Sequence, residues 1–309
     1  MKAFADTLQE SIDATQSVLV AGCDPVIDTL PPFLLADAQA RYNNDEAIIA
    51  HLLNAFCETF LAAVAGRVAA IKPNIAFFEQ YGLAGLAVFE KFCRDIREKK
   101  IPLITDAKRG DIGSTAAAYS SAFLGRTPFA GHEFRAFETD ALTVSPYLGF
   151  DTLEPFMKDC AAHGKGIFVL VQTSNPGAKA LQGLSAGGKT VSEHVAHWLA
   201  EQAEKLQGEC GWSGLGAVVG ASYPQEAKDL RSIMKTNLFL IPGLGAQGAG
   251  ADDAVAGFGA RNGKRGGALV NASRGLLVGE SASLEQMMHV IRGNAERFNS
   301  ELRSALSGQ

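Results

Sequence analysis

The chain has 309 residues, 47% hydrophobic and 20% charged, with mean hydropathy +0.06. That composition can bury a sizeable core, and α/β barrels use this length as one domain. A formal charge of −5 and a pI near 5.7 argue against a general nucleic-acid surface, which needs net basic patches, yet leave room for one local anion site.

Short, mostly apolar runs recur along the chain, separated by longer helical stretches. The first is Val18–Cys23. Within it Val20-Ala21-Gly22-Cys23 matches a lipoprotein cleavage site as a string, but the preceding stretch holds Asp6, Glu10 and Asp13 and has no apolar h-region. The run is therefore read as a strand. Asp28–Asn44, with its Pro-Pro pair, interrupts the rhythm, and an amphipathic stretch over Asp45–Ala65 restores it. Strands are then expected at Val68–Lys72 and Pro102–Lys108, with a helix over Gly82–Lys99 between them. Phe123–Asp140, carrying Gly, Pro and His, is a second interruption. Strands follow at Ala141–Ser145, Gly166–Thr173, Gly216–Ala221, Asn237–Pro242 and Ala268–Ala272, with helices over Lys189–Gln207 and Pro224–Lys235. These runs are apolar rather than alternating, as strands buried on both faces should be. Eight strand–helix units in series point to a closed parallel (β/α)8 TIM barrel forming a single domain over 1–309, with insertions near 28–44 and 123–140. A doubly wound open sheet is the alternative, and eight regular units disfavour it.

Barrel active sites form at the C-terminal ends of strands. Asp24, Lys72, Asp106, Lys108, Asp111, Ser174, Gln247 and Arg274 fall at or just beyond those ends. So many costly charges together are poor structural ballast. The densest cluster is Thr105-Asp106-Ala107-Lys108-Arg109-Gly110-Asp111-Ile112-Gly113. On a strand, Asp106 and Lys108 share a face and both reach the barrel mouth, while Asp111 follows the turn at Gly110. A lysine held between carboxylates stays protonated, which suits a proton donor rather than a Schiff-base nucleophile. An ion pair capping a strand is the ordinary reading of an isolated Asp-x-Lys, but here a second lysine, Lys72, ends the preceding strand.

Lys72 followed by Asp106-x-Lys108-x-x-Asp111 resembles the catalytic array of the orotidine 5′-phosphate decarboxylase family. The string from Asp106 through Thr115 resembles its longer bacterial (type 2) branch. The similarity continues through Thr173-Ser-Asn-Pro-Gly177, Pro242-Gly-Leu-Gly-Ala-Gln247 and Asn271-Ala-Ser-Arg-Gly275, from the first strand to the eighth. The resemblance implies a cofactor-free carboxy-lyase of pyrimidine biosynthesis that makes uridine 5′-phosphate and carbon dioxide. It implies that Lys108 protonates C6 of the pyrimidine, that Asp106 lies beside the departing carboxylate, and that Lys72 and Asp111 complete the charge network. It further implies a homodimer in which Asp111, Ile112 and Thr115 enter the neighbouring subunit's site. Asp24 would bind ribose hydroxyls, Ser174 the pyrimidine edge, and Gln247 with Arg274 the phosphate. Asn74, near Lys72, receives no role.

Other strings are weaker. Gly243-Leu-Gly-Ala-Gln-Gly248 fits the dinucleotide fingerprint, but that belongs on the first turn of a Rossmann unit, whereas loops after strands seven and eight of a barrel make a phosphate site. His194-x-x-His197 lacks a third metal ligand, and Trp198 beside it points to packing. Gly183-Leu-Ser185-Ala-Gly187 matches a nucleophile elbow, but Ala178–Gln182 before it reads as loop rather than strand. Phe77-Phe78 reads as core. No metal or organic cofactor is expected. Five scattered cysteines without a C-x-x-C, and no apolar run approaching a membrane span, lead to an expectation of a soluble cytoplasmic protein with neither nucleic-acid nor membrane partners. Two alternatives stay open: a magnesium-dependent sugar-phosphate lyase of a related barrel family, and a non-catalytic nucleotide-phosphate-binding barrel.

Overall fold

The computed structural model describes residues 1–221, 224–245, 250–261 and 263–308. Eight parallel strands form the central sheet: β1 (Leu19–Cys23), β2 (Ala70–Pro73), β3 (Ile104–Arg109), β4 (Ala141–Val144), β5 (Gly166–Gln172), β6 (Ser213–Val219), β7 (Asn237–Pro242) and β8 (Ala268–Ala272). Their order is β2-β1-β8-β7-β6-β5-β4-β3. Parallel bridges Ile71↔Leu103 and Asn74↔Asp106 join the outermost two and close the ring. All eight expected strands are present, with ends displaced by up to three residues.

Both faces of these strands are covered, which is why the sequence runs are apolar throughout. Side-chain alternation splits them into two packed regions. Val20, Ala70, Ile104, Ala141, Phe168, Val218, Leu238, Leu240 and Leu269 fill the barrel interior. Leu19, Ile71, Leu142, Val169, Ala217, Phe239 and Val270, one residue out of phase, face the surrounding helices. The N-terminal helix α1 (Phe4–Thr15) plugs the bottom, adding Phe4, Ala5 and Leu8 to the interior. Phe4 meets Phe168 edge-on, ring centroids 6.1 Å apart. Gly216 lacks a side chain because a Cβ there would stand 2.6 Å from the Phe168 ring.

Helix α2 (Pro32–Arg41) occupies much of the first interruption and buries Leu34 and Ala38. The second carries an exposed hairpin, Thr127–Phe129 against His132–Phe134. Helix α3 (Asp45–Val64) corrects one expectation: it is long and apolar enough to cross a membrane by composition. Its apolar length serves the core here, where Leu52, Leu53, Phe56, Cys57, Phe60, Leu61, Ala63 and Val64 are buried. Ala178–Gln182, expected as loop, is a short helix. No strand leads into Gly183, so the nucleophile-elbow geometry is missing there. His194 packs locally too, its Nε2 lying 2.7 Å from the Ala186 carbonyl, and Trp198 stacks on Phe150 at 4.6 Å.

Candidate active site

Alternation along the strands places the charge. Lys72 stands two residues above Ala70 and Asp106 two above Ile104, so both continue the inward-facing column to the C-terminal end of the barrel. Thr143 does the same above Ala141. Lys72 is 5% exposed and Asp106 9%. Lys72 Nζ donates to Asp106 Oδ2 at 2.7 Å and Lys108 Nζ to Asp106 Oδ1 at 2.7 Å. The Thr143 hydroxyl adds a third bond, to Oδ1 at 2.9 Å.

Burial pushes the Asp106 carboxyl up, but the neighbouring Lys72 and Lys108 ammonium groups outweigh it and hold the group well below the usual carboxylate range. Burial likewise opposes the charge on Lys72, and Asp106 first, then Asp24, raise it above the ordinary lysine value. Asp24 follows β1, and its buried Oδ1 has no hydrogen-bond partner among the described residues. An unpaired buried carboxylate oxygen at the barrel mouth is a vacant acceptor for a ligand hydroxyl.

The expectation of a regular strand through Lys108 needs correcting. The β3–β4 pairing runs Ile104↔Ala141 and Thr105↔Leu142, then shifts to Arg109↔Val144. The chain bulges between those pairs, and Lys108 adopts a left-handed φ of 47°. Its side chain is 51% exposed while its ammonium stays on Asp106. Beyond the bulge Arg109 pairs with Glu79 and lies over the Tyr119 ring at 5.4 Å, tying the loops after β2 and β3 together.

A cavity of ≈ 460 Å³ opens over this array. Lys72, Asp106, Lys108 and Thr143 form one wall, Thr173, Ser174, Asn175 and Gln182 another, and Leu170, Val218, Leu240 and Pro242 an apolar floor. A larger hollow of ≈ 770 Å³ between Thr29–Pro32 and Leu277–Ile291 carries one ionisable side chain, Glu280, so size does not locate the chemistry. Among the described residues no group of three or more His, Cys, Asp or Glu gathers in a metal-holding arrangement. The smaller cavity therefore offers fixed ammonium groups, hydroxyls and amides over an apolar floor, a combination suited to a flat polar ring bearing an anionic group.

A family model described as "Orotidine 5'-phosphate decarboxylase / HUMPS family" matches residues 51–283. The chain belongs to the orotidine 5′-phosphate decarboxylase / HUMPS family. A Rhodopirellula baltica protein named orotidine 5′-phosphate decarboxylase is 44% identical over 274 residues, 89% of this chain and 88% of its own. A Caldicellulosiruptor bescii protein of the same name is 40% identical over 250 residues, covering 81% of this chain and 82% of its own. The solved Leishmania donovani OMP decarboxylase superposes with a TM-score of 0.73 at 30% identity and full coverage of both chains. These are similar barrels, so the family assignment and the (β/α)8 fold agree.

Within this decarboxylase-family barrel, Lys72, Asp106, Lys108 and Ser174 come together in one cavity. Asp24, Asp111, Ile112, Thr115 and Arg274 do not line it. Asp111 makes no ion pair among the described residues; its Oδ1 accepts the Ile112 N–H at 2.8 Å. Ile112 is 61% exposed. Arg274 is exposed at the start of a 3-10 turn, Arg274–Leu277, directly after β8. Gln247 lies outside the described residues. Two polar lining residues, Thr143 and Gln182, escaped the sequence reading. Thr143 was legible in principle, as a polar residue at an inward position of a buried strand. Gln182 was not, because its helix is too short to show a period. Its amide accepts the Thr173 N–H at 2.9 Å and donates to Thr173 Oγ1 at 2.8 Å, bracing the turn that presents Ser174.

Proposed function

We propose that the chain decarboxylates orotidine 5′-phosphate to uridine 5′-phosphate, supplying the pyrimidine pool, with Lys108 as the acid at C6. The observation that carries this reading is Asp106 held ionised between two ammonium groups at the cavity wall. Breaking the C6–carboxylate bond leaves an electron pair in an sp2 orbital that the ring cannot readily delocalise. The carbon dioxide departs, C6 takes a proton from Lys108 Nζ, and Lys108 is reprotonated from solvent. Cationic charge fixed where the carbanion forms lowers the barrier without reorganisation. Asp106 holds the Lys108 ammonium in place, and Lys72 in turn keeps Asp106 charged. The apolar floor lets the ring lie flat and excludes water beneath it.

Ser174 meets the pyrimidine edge, Asp24 the ribose hydroxyls, and Arg274 with Gln247 the phosphate. Phosphate binding far from C6 then supplies energy that is used at the reacting carbon. The site is completed by a second copy of the chain, which contributes Asp111, Ile112 and Thr115. Supporting this, Ile112, Tyr147 and Leu148 expose large apolar side chains on the loops after β3 and β4, and Asp111 makes no ion pair among the described residues. Free cysteines, four of them buried, fit a reducing cytoplasm. The magnesium-dependent sugar-phosphate reading is less well supported, because relatives at 40–44% identity carry the decarboxylase name.

The test is loss of orotidine 5′-phosphate absorbance with chelator-treated protein, wild type against Lys108→Ala. Wild type should turn over, and the variant should fall at least ~10²–10⁴-fold while remaining folded by circular dichroism. Near-normal turnover in the variant removes Lys108 from the acid role. Activity that vanishes with chelator and returns with magnesium moves the assignment to the sugar-phosphate lyases.

A further inference from the structure

We propose that Thr143 is a positioning residue for the proton donor, its hydroxyl locking the β3 bulge that carries Lys108. The inference rests on the reading of Lys108 as the acid. Ala107 and Lys108 lie inside the β3–β4 register shift, between the pairs Thr105↔Leu142 and Arg109↔Val144. The Thr143 oxygen accepts both of their N–H groups, from Ala107 N at 3.0 Å and Lys108 N at 2.9 Å. With two N–H groups donating to that oxygen, its own proton is free to go outward, and it goes to Asp106 Oδ1 at 2.9 Å. The hydroxyl thus uses its one proton and both lone pairs inside the chain.

Two consequences follow. The left-handed turn at Lys108, φ 47°, is unfavourable for a side-chain-bearing residue and persists because Thr143 pins the two successive amides that lead into it. Lys108 Nζ and Thr143 also share one oxygen of Asp106, which fixes the direction from which the ammonium is held. Thr143 lines the cavity, but its valences are already filled, so it offers nothing to a ligand. Removing the hydroxyl should therefore misplace the proton donor without loosening nucleotide binding.

The test compares Thr143→Val, nearly isosteric without the hydroxyl, with Thr143→Ser, which keeps it. Lys108→Ala is measured alongside. In Thr143→Val, kcat should fall about 10–100-fold, the effect expected of a donor displaced by an ångström or less. KM and the affinity for uridine 5′-phosphate should change less than about threefold, and Thr143→Ser should return kcat to within about threefold of wild type. A Thr143→Val kcat within about twofold of wild type overturns the proposal, as does a parallel loss of kcat and product affinity. If the valine chain does not fold, serine decides: wild-type kcat supports the proposal and a large loss overturns it. A slow Lys108→Ala with a fast Thr143→Val removes only the Thr143 role, whereas a fast Lys108→Ala removes the reading beneath it.

Discussion

Asp106 accepts three hydrogen bonds from two ammonium groups and one hydroxyl, and at 9% exposure it has little water to replace any of them. Asp106→Asn keeps the shape and removes the charge. Lys72, 5% exposed, then loses its main counter-ion, and breaking a buried pair from one side costs about 3–5 kcal/mol. Urea unfolding at neutral pH should show that loss. The Asp106 pKa is depressed in the fold, so its stabilisation is present above the unfolded carboxylate value of about 3.9 and fades as pH drops below it. The Lys72 pKa is raised, so its share is present below about 10.4 and fades as pH climbs past it. The stability gap between wild type and Asp106→Asn should therefore be widest between about pH 4 and 10 and narrow at both ends. A gap that does not vary with pH would show that the lost stability is packing and not charge. Arg274, proposed above to hold the phosphate, is exposed after β8, and a guanidinium fork suits that anion. Arg274→Ala should impair turnover of orotidine 5′-phosphate far more than that of the phosphate-free nucleoside. Equal fold-losses for the two would assign Arg274 to the chemistry or the fold.

The two ends of the barrel illustrate what a strand's pattern reveals. Period-two alternation carried Lys72 and Asp106 inward above Ala70 and Ile104, and this was readable because both sit on regular strand. Lys108 reaches the same cavity as expected, but through a β3 bulge rather than by regular alternation; a bulge leaves no sequence mark when the hydroxyl that stabilises it, Thr143, belongs to another strand. Helix α1 also went unread, since its role of closing the barrel floor depends on Phe168, far away in sequence. The eight strands themselves were legible because burial on both faces forces continuous apolar runs. The N-terminal ends of β7 and β8 hold a further element-level device. Arg231, 8% exposed, donates to the carbonyls of Gly257, Met234, Asn237 and Gly267 and lies over Phe239 at 3.6 Å. One guanidinium thus pins helix Pro224–Ile233 to the stability face of the barrel, opposite the chemistry. Arg231→Met would leave those carbonyls without their donor and should cost about 3–5 kcal/mol in urea unfolding, with KM nearly unchanged. A change in KM without a change in stability would contradict this division between the two faces.

At the scale of the whole molecule, the barrel fixes Asp106 and Lys108 but leaves Asp111 on the loop beyond Gly110, paired with its own Ile112 amide and with no ion-pair partner among the described residues. A two-fold interface would make the loop's contribution reciprocal: each chain gives one Asp111 to its neighbour's Lys108 and receives one in return. Two variants each expected to be inactive alone, Lys108→Ala and Asp111→Asn, distinguish this from a self-contained site. In a hybrid dimer one site collects both substitutions, the alanine from its own chain and the asparagine from the partner. The other site joins an intact Lys108 to an intact Asp111. Equal random mixing makes about half the dimers hybrid, each with one working site in two, so roughly a quarter of wild-type activity should return. Recovery should appear only under conditions that allow subunit exchange, and should follow its time course. Exchange verified by mass-tagged chains, with activity still absent, would assign Asp111 to its own chain's site and leave the dimer, if formed, without a catalytic role.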